Sequence, residues 1–171
     1  IVSKTDALGQ KTDYDYDNRG NVIKTTVSFN GMTYNDHLQP VVDKNGQMVS
    51  ELVTFATYDP IFNKVTSQTD AEGRTGFFIY DSEASIVPAQ HWGISVTGNT
   101  GNLLATVDAL GNITRYSYFA NGNLKTVTDA LNKTTEFLVY DDYGNLLLKK
   151  DAAGNQTIQI FDLRSRLTST K

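Results

Sequence analysis

The sequence predicts an all-β fold, an antiparallel meander of β-hairpins. One four-residue unit, Asp-x-x-Gly, recurs along the chain at short and nearly constant intervals. The residues between copies alternate between two faces, and no window sustains a helical period.

The recurring unit reads as a turn. It stands at Asp6–Gly9, Asp17–Gly20, Asp43–Gly46, Asp70–Gly73, Asp108–Gly111, Asp141–Gly144 and Asp151–Gly154, with Asp129–Asn132 as a variant. Asp at the first position accepts hydrogen bonds from the turn's own amides. Gly at the fourth supplies a positive φ, so a type I turn can close into a bulged hairpin. Asn tolerates that conformation next best, which accommodates Asn132. Asp59-Pro60-Ile61-Phe62 fits less well: Pro suits the second place, but Phe62 departs from the pattern.

The strands follow from the spacing. From residue 98 the predicted turns start at Gly98, Asp108, Phe119, Asp129, Asp141, Asp151 and Asp162, in steps of 10, 11, 10, 12, 10 and 11 residues. About six or seven residues then remain per strand, roughly 20 Å. Thr114, Tyr116 and Tyr118 share one face against Arg115 and Ser117. Thr134, Glu136 and Leu138 oppose Thr135, Phe137 and Val139. Leu124–Thr128 and Leu146–Lys150 alternate less strictly, as strands covered on both faces can. The step of 12 contains one extra residue and predicts a bulge near Phe137–Tyr140. Asn30-Gly31 and Asn45-Gly46 read as hairpin turns.

Two turn flavours alternate. One is Asp-Ala-x-Gly, with Thr before it at Thr5, Thr69 and Thr128, Val at Val107 and Lys at Lys150. The other is Tyr-Asp-x-x-Gly-Asn followed by an apolar residue, at Tyr16–Val22 and Tyr140–Leu146. Tyr118–Leu124 keeps all but the Asp, and Phe161–Leu167 is a degenerate last copy.

These residues resemble the YD repeat of the Rhs family, whose consensus runs Tyr-Asp-x-x-Gly-Asn-Leu and then Thr-Asp-x-x-Gly. The resemblance covers residues 2–25 and 48–168 of one repeat segment, 1–171, with interruptions at 26–47 and 82–98. The second adds 17 residues between Tyr80-Asp81 and Gly101-Asn102. The resemblance implies a segment of a large secreted or cell-surface bacterial protein; teneurins are animal relatives. In such proteins the repeats form a curved β-strip that spirals into a hollow shell, and in polymorphic and insecticidal toxins the shell encloses a toxic domain. The expected partners are therefore the rest of the parent chain and an enclosed toxin domain. The family is also associated with carbohydrate binding, which makes glycans the alternative partner. Nothing resembles the family's aspartyl self-cleavage site or a toxin domain, so this segment is expected to be wall, not cargo.

Composition agrees with a folded chain that has no chemistry of its own. Of 171 residues 39% are hydrophobic, with nine Tyr, eight Phe and one Trp, a balance that suits half-buried pleated surfaces. Net charge is −4, with no basic run, which argues against nucleic acid. There is no Cys, hence no disulfide, thiol nucleophile or cysteine-held metal. No apolar stretch approaches the roughly 18 residues of a membrane span. The opening Ile-Val-Ser-Lys-Thr-Asp-Ala-Leu-Gly matches the middle of a repeat, so a piece of a longer protein is expected.

Three places invite a chemical reading. Asp13-Tyr14-Asp15-Tyr16-Asp17 suggests calcium, but an EF-hand loop counted from Asp13 would put Asn18 and Lys24 where Gly and Glu belong. A solvated acidic strand face is the expected state, with no metal and no cofactor. His91-Trp92 in the insert could stack on a sugar ring; these are the two candidate carbohydrate-binding residues. The favoured alternative packs Trp92 with Ile86, Val87, Ile94 and Val96 as a small hairpin on the strip. Asp36-His37 and His91 could be imagined in a hydrolytic triad, but no Gly-x-Ser-x-Gly elbow is present and the two His lie far apart. No enzyme activity is expected.

Overall fold

A computed structural model of the chain describes residues 2–7, 9–28 and 51–171. The predicted corners at Asp43–Gly46, Asn30-Gly31 and Asn45-Gly46, and Asp36-His37, lie outside the described residues. Those described are all-β: each strand runs antiparallel to its chain neighbours, with a short helical excursion in the insert. The chain divides into two compact units, Ile1–Phe77 and Phe78–Lys171.

The first unit holds β1 (Val2–Thr5), β2 (Lys11–Tyr16), β3 (Val22–Ser28), β4 (Glu51–Tyr58), β5 (Val65–Thr69) and the start of β6 (Thr75–Tyr80). β3 continues through residue 28, so the expected interruption at 26–47 does not begin by ending a strand. Partners of one strand align along one face: Val2 opposite Tyr14, Tyr14 opposite Thr25, Thr25 opposite Thr54. On the other face Ser3, Asp13, Thr26 and Val53 align, and beside them Asp15, Lys24 and Phe55.

The second unit holds the end of β6, a 3₁₀ turn at Glu83–Ser85, α1 (Ile86–His91), β7 (Leu103–Val107), β8 (Ile113–Tyr118), β9 (Leu124–Thr128), β10 (Thr134–Tyr140), β11 (Leu146–Lys150), β12 (Gln156–Phe161) and β13 (Leu167–Thr170). The bulge expected at 137–140 is present: pairing with β11 shifts between Phe137 and Val139, and again before Tyr140.

The second of those shifts belongs to a pattern that the spacing alone does not show. Register also slips just before Tyr16, Tyr58, Tyr118 and Phe161. The residue skipped lies on the outgoing strand, at Ile23, Thr66, Lys125 and Thr168. The described Asp-Ala hairpins pair without a slip, for example Thr5 with Lys11 and Val107 with Ile113. Since a meander puts successive turns at opposite strand ends, each unit carries bulges along its Tyr-Asp edge.

Burial is shallow, as a single sheet layer requires. Among the described residues the buried apolar ones are Ile79, Ala89, Ala105 and Val107, all in or beside the insert. Turn tips leave large apolar residues in water: Leu110, Leu131, Tyr143 and Leu163 are each more than two-thirds exposed.

The insert departs from expectation. Instead of a hairpin, residues 83–91 wind into the 3₁₀ turn and α1, and 94–99 belong to no strand. Ala89 and Gln90 favour the helical turn. Of the expected packing cluster, Trp92, Ile94 and Val96 are half-buried and alternate with exposed neighbours, whereas Ile86 is exposed.

Candidate functional site

The most repeated chemical unit in the molecule is the carboxylate at each corner. In the ordinary turns the first residue's N–H donates to the carbonyl four residues on, at 2.8–3.0 Å. Its own carbonyl accepts from the fourth residue's N–H at 2.9–3.2 Å. The fourth residue carries the positive φ, +85° at Gly20 and +82° at Gly144. Non-glycine residues meet the same demand: Asn132 at +59°, as its sequence suggested, and Ser165 at +57°, which no sequence signal marked. The glycine turn positions expected at Gly9, Gly73, Gly111 and Gly154 all share it.

The Asp side chain then works as a clamp. At Asp141, Oδ1 accepts from Tyr143 N at 3.0 Å and Asn145 N at 2.8 Å, while Oδ2 accepts from Asn145 Nδ2 at 2.8 Å. Asp17, Asp108 and Asp151 do the same with Asn21, Asn112 and Asn155. At Asp70 and Asp162 the Nε of Arg74 and Arg166 replaces the amide, at 2.7 Å in each case. Asp6 accepts from Gln10 N at 2.9 Å. This explains the Asn that follows Gly in the repeat: it is the second jaw of the clamp. These donors hold Asp17, Asp70, Asp108, Asp141, Asp151 and Asp162 below the usual Asp value, with the side-chain bond the leading cause at each.

Two corners solve the problem differently. Where Phe119 replaces Asp, the amide oxygen of Asn121 takes the bond from Asn123 N at 3.1 Å. At Asp59 the turn is one residue longer: Asn63 N donates to Asp59 O, and Asn63 carries the positive φ of +55°. The misfit of Phe62 is thus a displaced turn end. Asp59 Oδ1 still accepts from Ile61 and Phe62 at 2.8 and 2.7 Å.

The tyrosine of the Tyr-Asp motif reaches across strands. Tyr118 Oη donates to Leu103 O at 2.9 Å, Tyr140 Oη to Leu124 O at 2.8 Å and Tyr58 Oη to Val22 O at 3.0 Å. Each acceptor is the apolar residue that follows Gly-Asn, or its place, in an earlier Tyr-Asp turn. Burial raises the Tyr118 and Tyr140 phenols above their ordinary pKa. Adjacent Tyr-Asp corners touch as well: Asn21 Nδ2 donates to Asn63 Oδ1 at 2.6 Å, and Asn145 Nδ2 to Ser165 Oγ at 3.1 Å. At the opposite edge Thr69 meets Thr75 at 2.8 Å and Thr128 meets Thr134 at 2.9 Å across the hairpin neck. Where Val107 takes the Thr place, Ile113 faces it.

The insert hangs from a corner of the same design. Asp81 N donates to Asn102 O at 2.7 Å and Gly101 N to Asp81 O at 2.8 Å, with Gly101 at φ +72°. The corner therefore begins at Asp81, not at Gly98. Gly98 instead donates its N–H to Asp81 Oδ1 at 2.8 Å, and Thr100 Oγ1 donates to Oδ2 at 2.7 Å. A Cβ on Gly98 would lie 2.7 Å from Asp81 Oδ2, so only glycine admits that approach.

The remaining candidates are dispersed. His91 is exposed and meets half-buried Trp92 edge-on at 4.8 Å. Asp13 accepts from Ser3 Oγ and from Lys11 Nζ, while Asp17 is engaged in its own turn. No group of three His, Asp or Glu suited to a metal gathers among the described residues. No helix among them is long and apolar enough to cross a membrane.

These features define a β-hairpin repeat protein whose carboxylates, amides and phenols bind its own backbone. The RHS Repeat family model matches residues 1–31 and 99–134, so those two stretches are similar to RHS repeats. No curated protein matches it. Similar solved structures include TcdB2-TccC3, with and without its hypervariable C-terminal region, at 16% identity and a TM-score of 0.46. The Photorhabdus luminescens Tc holotoxin pore is similar at 15% identity and the same TM-score. The likeness covers 94% of this chain but 9% of those chains.

Proposed function

We propose that this segment is wall in a larger Rhs-repeat protein: a structural strip, secreted or displayed on a bacterial surface, that helps enclose a toxic domain. The segment performs no catalysis. The observation that carries this reading is the bulge that accompanies the described Tyr-Asp hairpins and not the Asp-Ala ones. An extra residue along one edge lengthens that edge, and bulges increase local bend and twist. A long strip built this way favours curling over lying flat. The clamps support the same role, because they set each corner without tertiary help and let the array grow in one dimension. Curling also brings strand edges under cover, where they cannot recruit other chains.

The test is made on the parent protein. Electron microscopy should show a hollow particle, and a domain downstream of the repeats should resist protease until the particle is opened. A domain digested as fast in the intact particle as in the opened one rejects enclosure. Glycan binding through Trp92 and His91 is the second reading, favoured by the exposed imidazole beside the indole edge. A glycan array of the segment and its Trp92→Ala variant separates the two: binding lost in the variant supports the second.

A further inference from the structure

The insert joins an otherwise ordinary hairpin. Deleting residues 82–98 would leave Tyr80-Asp81-Asn99-Thr100-Gly101-Asn102-Leu103, the spacing of the other Tyr-Asp turns. The two backbone bonds of Asp81 with Gly101 and Asn102 close the hairpin without the insert. What fixes the insert is a different set of bonds. Gly98 N donates to Asp81 Oδ1 at 2.8 Å and Glu83 N donates to Asn99 Oδ1 at 3.4 Å, whereas Thr100 N and Oγ1 meet the same carboxylate from within the corner.

The described residues' buried apolar side chains collect here. Ala105 and Val107 lie on one face of β7, and Ala89 is fully buried within α1. In the register of the other Tyr-Asp hairpins, where Ser117 faces Thr126, Ile79 falls opposite Ala105. Strands β8 to β13 bury no residue to this degree, and the insert is what sets this hairpin apart from theirs. The arrangement also carries a cost. Ser82 is wholly buried and its Oγ meets no hydrogen-bond partner, a group that water would satisfy if the segment lifted.

We propose that residues 82–98 form a strap, latched by the Asp81 carboxylate, that swings off the sheet face while its hairpin stays closed. Opening bares Ile79, Ala105 and Val107 and hydrates Ser82; closing restores the Gly98 bond to Asp81 and the Glu83 bond to Asn99. The strap does not depend on the role of the parent protein.

Hydrogen exchange of the whole chain and of Asp81→Ala tests it. Exchange across 83–98 should rise about tenfold in the variant, with β7 and β8 within about twofold of the original. Equal acceleration of β7 and β8, or no change across 83–98, overturns the strap. Should Asp81→Ala fail to fold, the 82–98 deletion decides. It should keep a β-sheet spectrum and bind about threefold more of a dye for exposed apolar surface. An unfolded deletion variant, or a folded one with no added dye binding, overturns the proposal.

Discussion

The hairpins at Asp141 and at Asp81 close with the same pair of backbone bonds, yet one spans two residues between Asp and Gly and the other nineteen. The corner is therefore defined by its ends. An Asp entering, a positive-φ glycine leaving and an Asn carbonyl after it suffice; the residues between are free to lengthen. Loop closure explains why this is tolerated, since its entropic cost grows only slowly with length. What differs is the second jaw. Asn145 supplies it at Asp141, whereas at Asp81 the loop itself does, through Gly98 and Thr100.

Acid should loosen most corners at once. Asp17, Asp70, Asp81, Asp108, Asp141, Asp151 and Asp162 are all lowered in the folded chain. A lowered carboxyl contributes stability that is complete above the ordinary Asp value, about 3.9, and is lost as pH falls through the folded value. Tm should therefore be flat from about pH 5 to 7 and drop below about pH 4. The Phe119 corner has no carboxylate to titrate, so its amide protection should outlast that of Asp141 as the pH falls. A Tm decline already under way at pH 6, or earlier loss at Phe119, contradicts this.

Asp81→Ala strips three bonds from a nearly buried carboxylate and should cost about 2 kcal/mol, a Tm loss of about 6 °C in calorimetry. Gly144→Ala should cost about 1.5 kcal/mol through its positive φ alone, because no atom lies within 4 Å of the added methyl. Ser165 occupies the same conformation without being glycine, so Ser165→Gly should stabilise by somewhat less, about 0.5–1 kcal/mol. A loss on Ser165→Gly would mean that the Asn145 contact to Ser165 Oγ outweighs the backbone strain.

Turns and strand spacing were legible because they are local. Asp and Gly three apart state their own hydrogen bonds, and even Asn132 announced its φ. The bulge at 137–140 was legible as an extra residue in the step. The tyrosine partners were not, because Leu103 and Leu124 lie 15 and 16 residues away and offer only a backbone carbonyl. Nor was the Asn clamp, since Asn after Gly reads equally as turn preference. The insert misled because Ile94 and Val96 alternate as a strand would, while nothing in Ile86–His91 shows that a single turn of helix will form. Trp92 and His91 drew attention by rarity, which says nothing about where a side chain faces.

The smallest effect tests the tyrosines themselves. Tyr140→Phe removes one phenol hydrogen bond to Leu124 O and should cost about 1 kcal/mol, or about 3 °C in Tm. Phe161 stands in the corresponding place of the last Tyr-Asp copy, with no hydroxyl to offer. The corresponding acceptor is Leu146 O, since Leu146 follows Gly144-Asn145 as Leu124 follows Gly122-Asn123. Phe161→Tyr should therefore add the missing bond and gain about 0.5 kcal/mol, visible as a small rise in Tm and slower exchange in β12. Loss at Tyr140 and gain at Phe161 together would show that the motif's tyrosine acts through its hydroxyl across two strands. Equal and negligible shifts would show that the ring alone, by packing on the sheet, accounts for its recurrence.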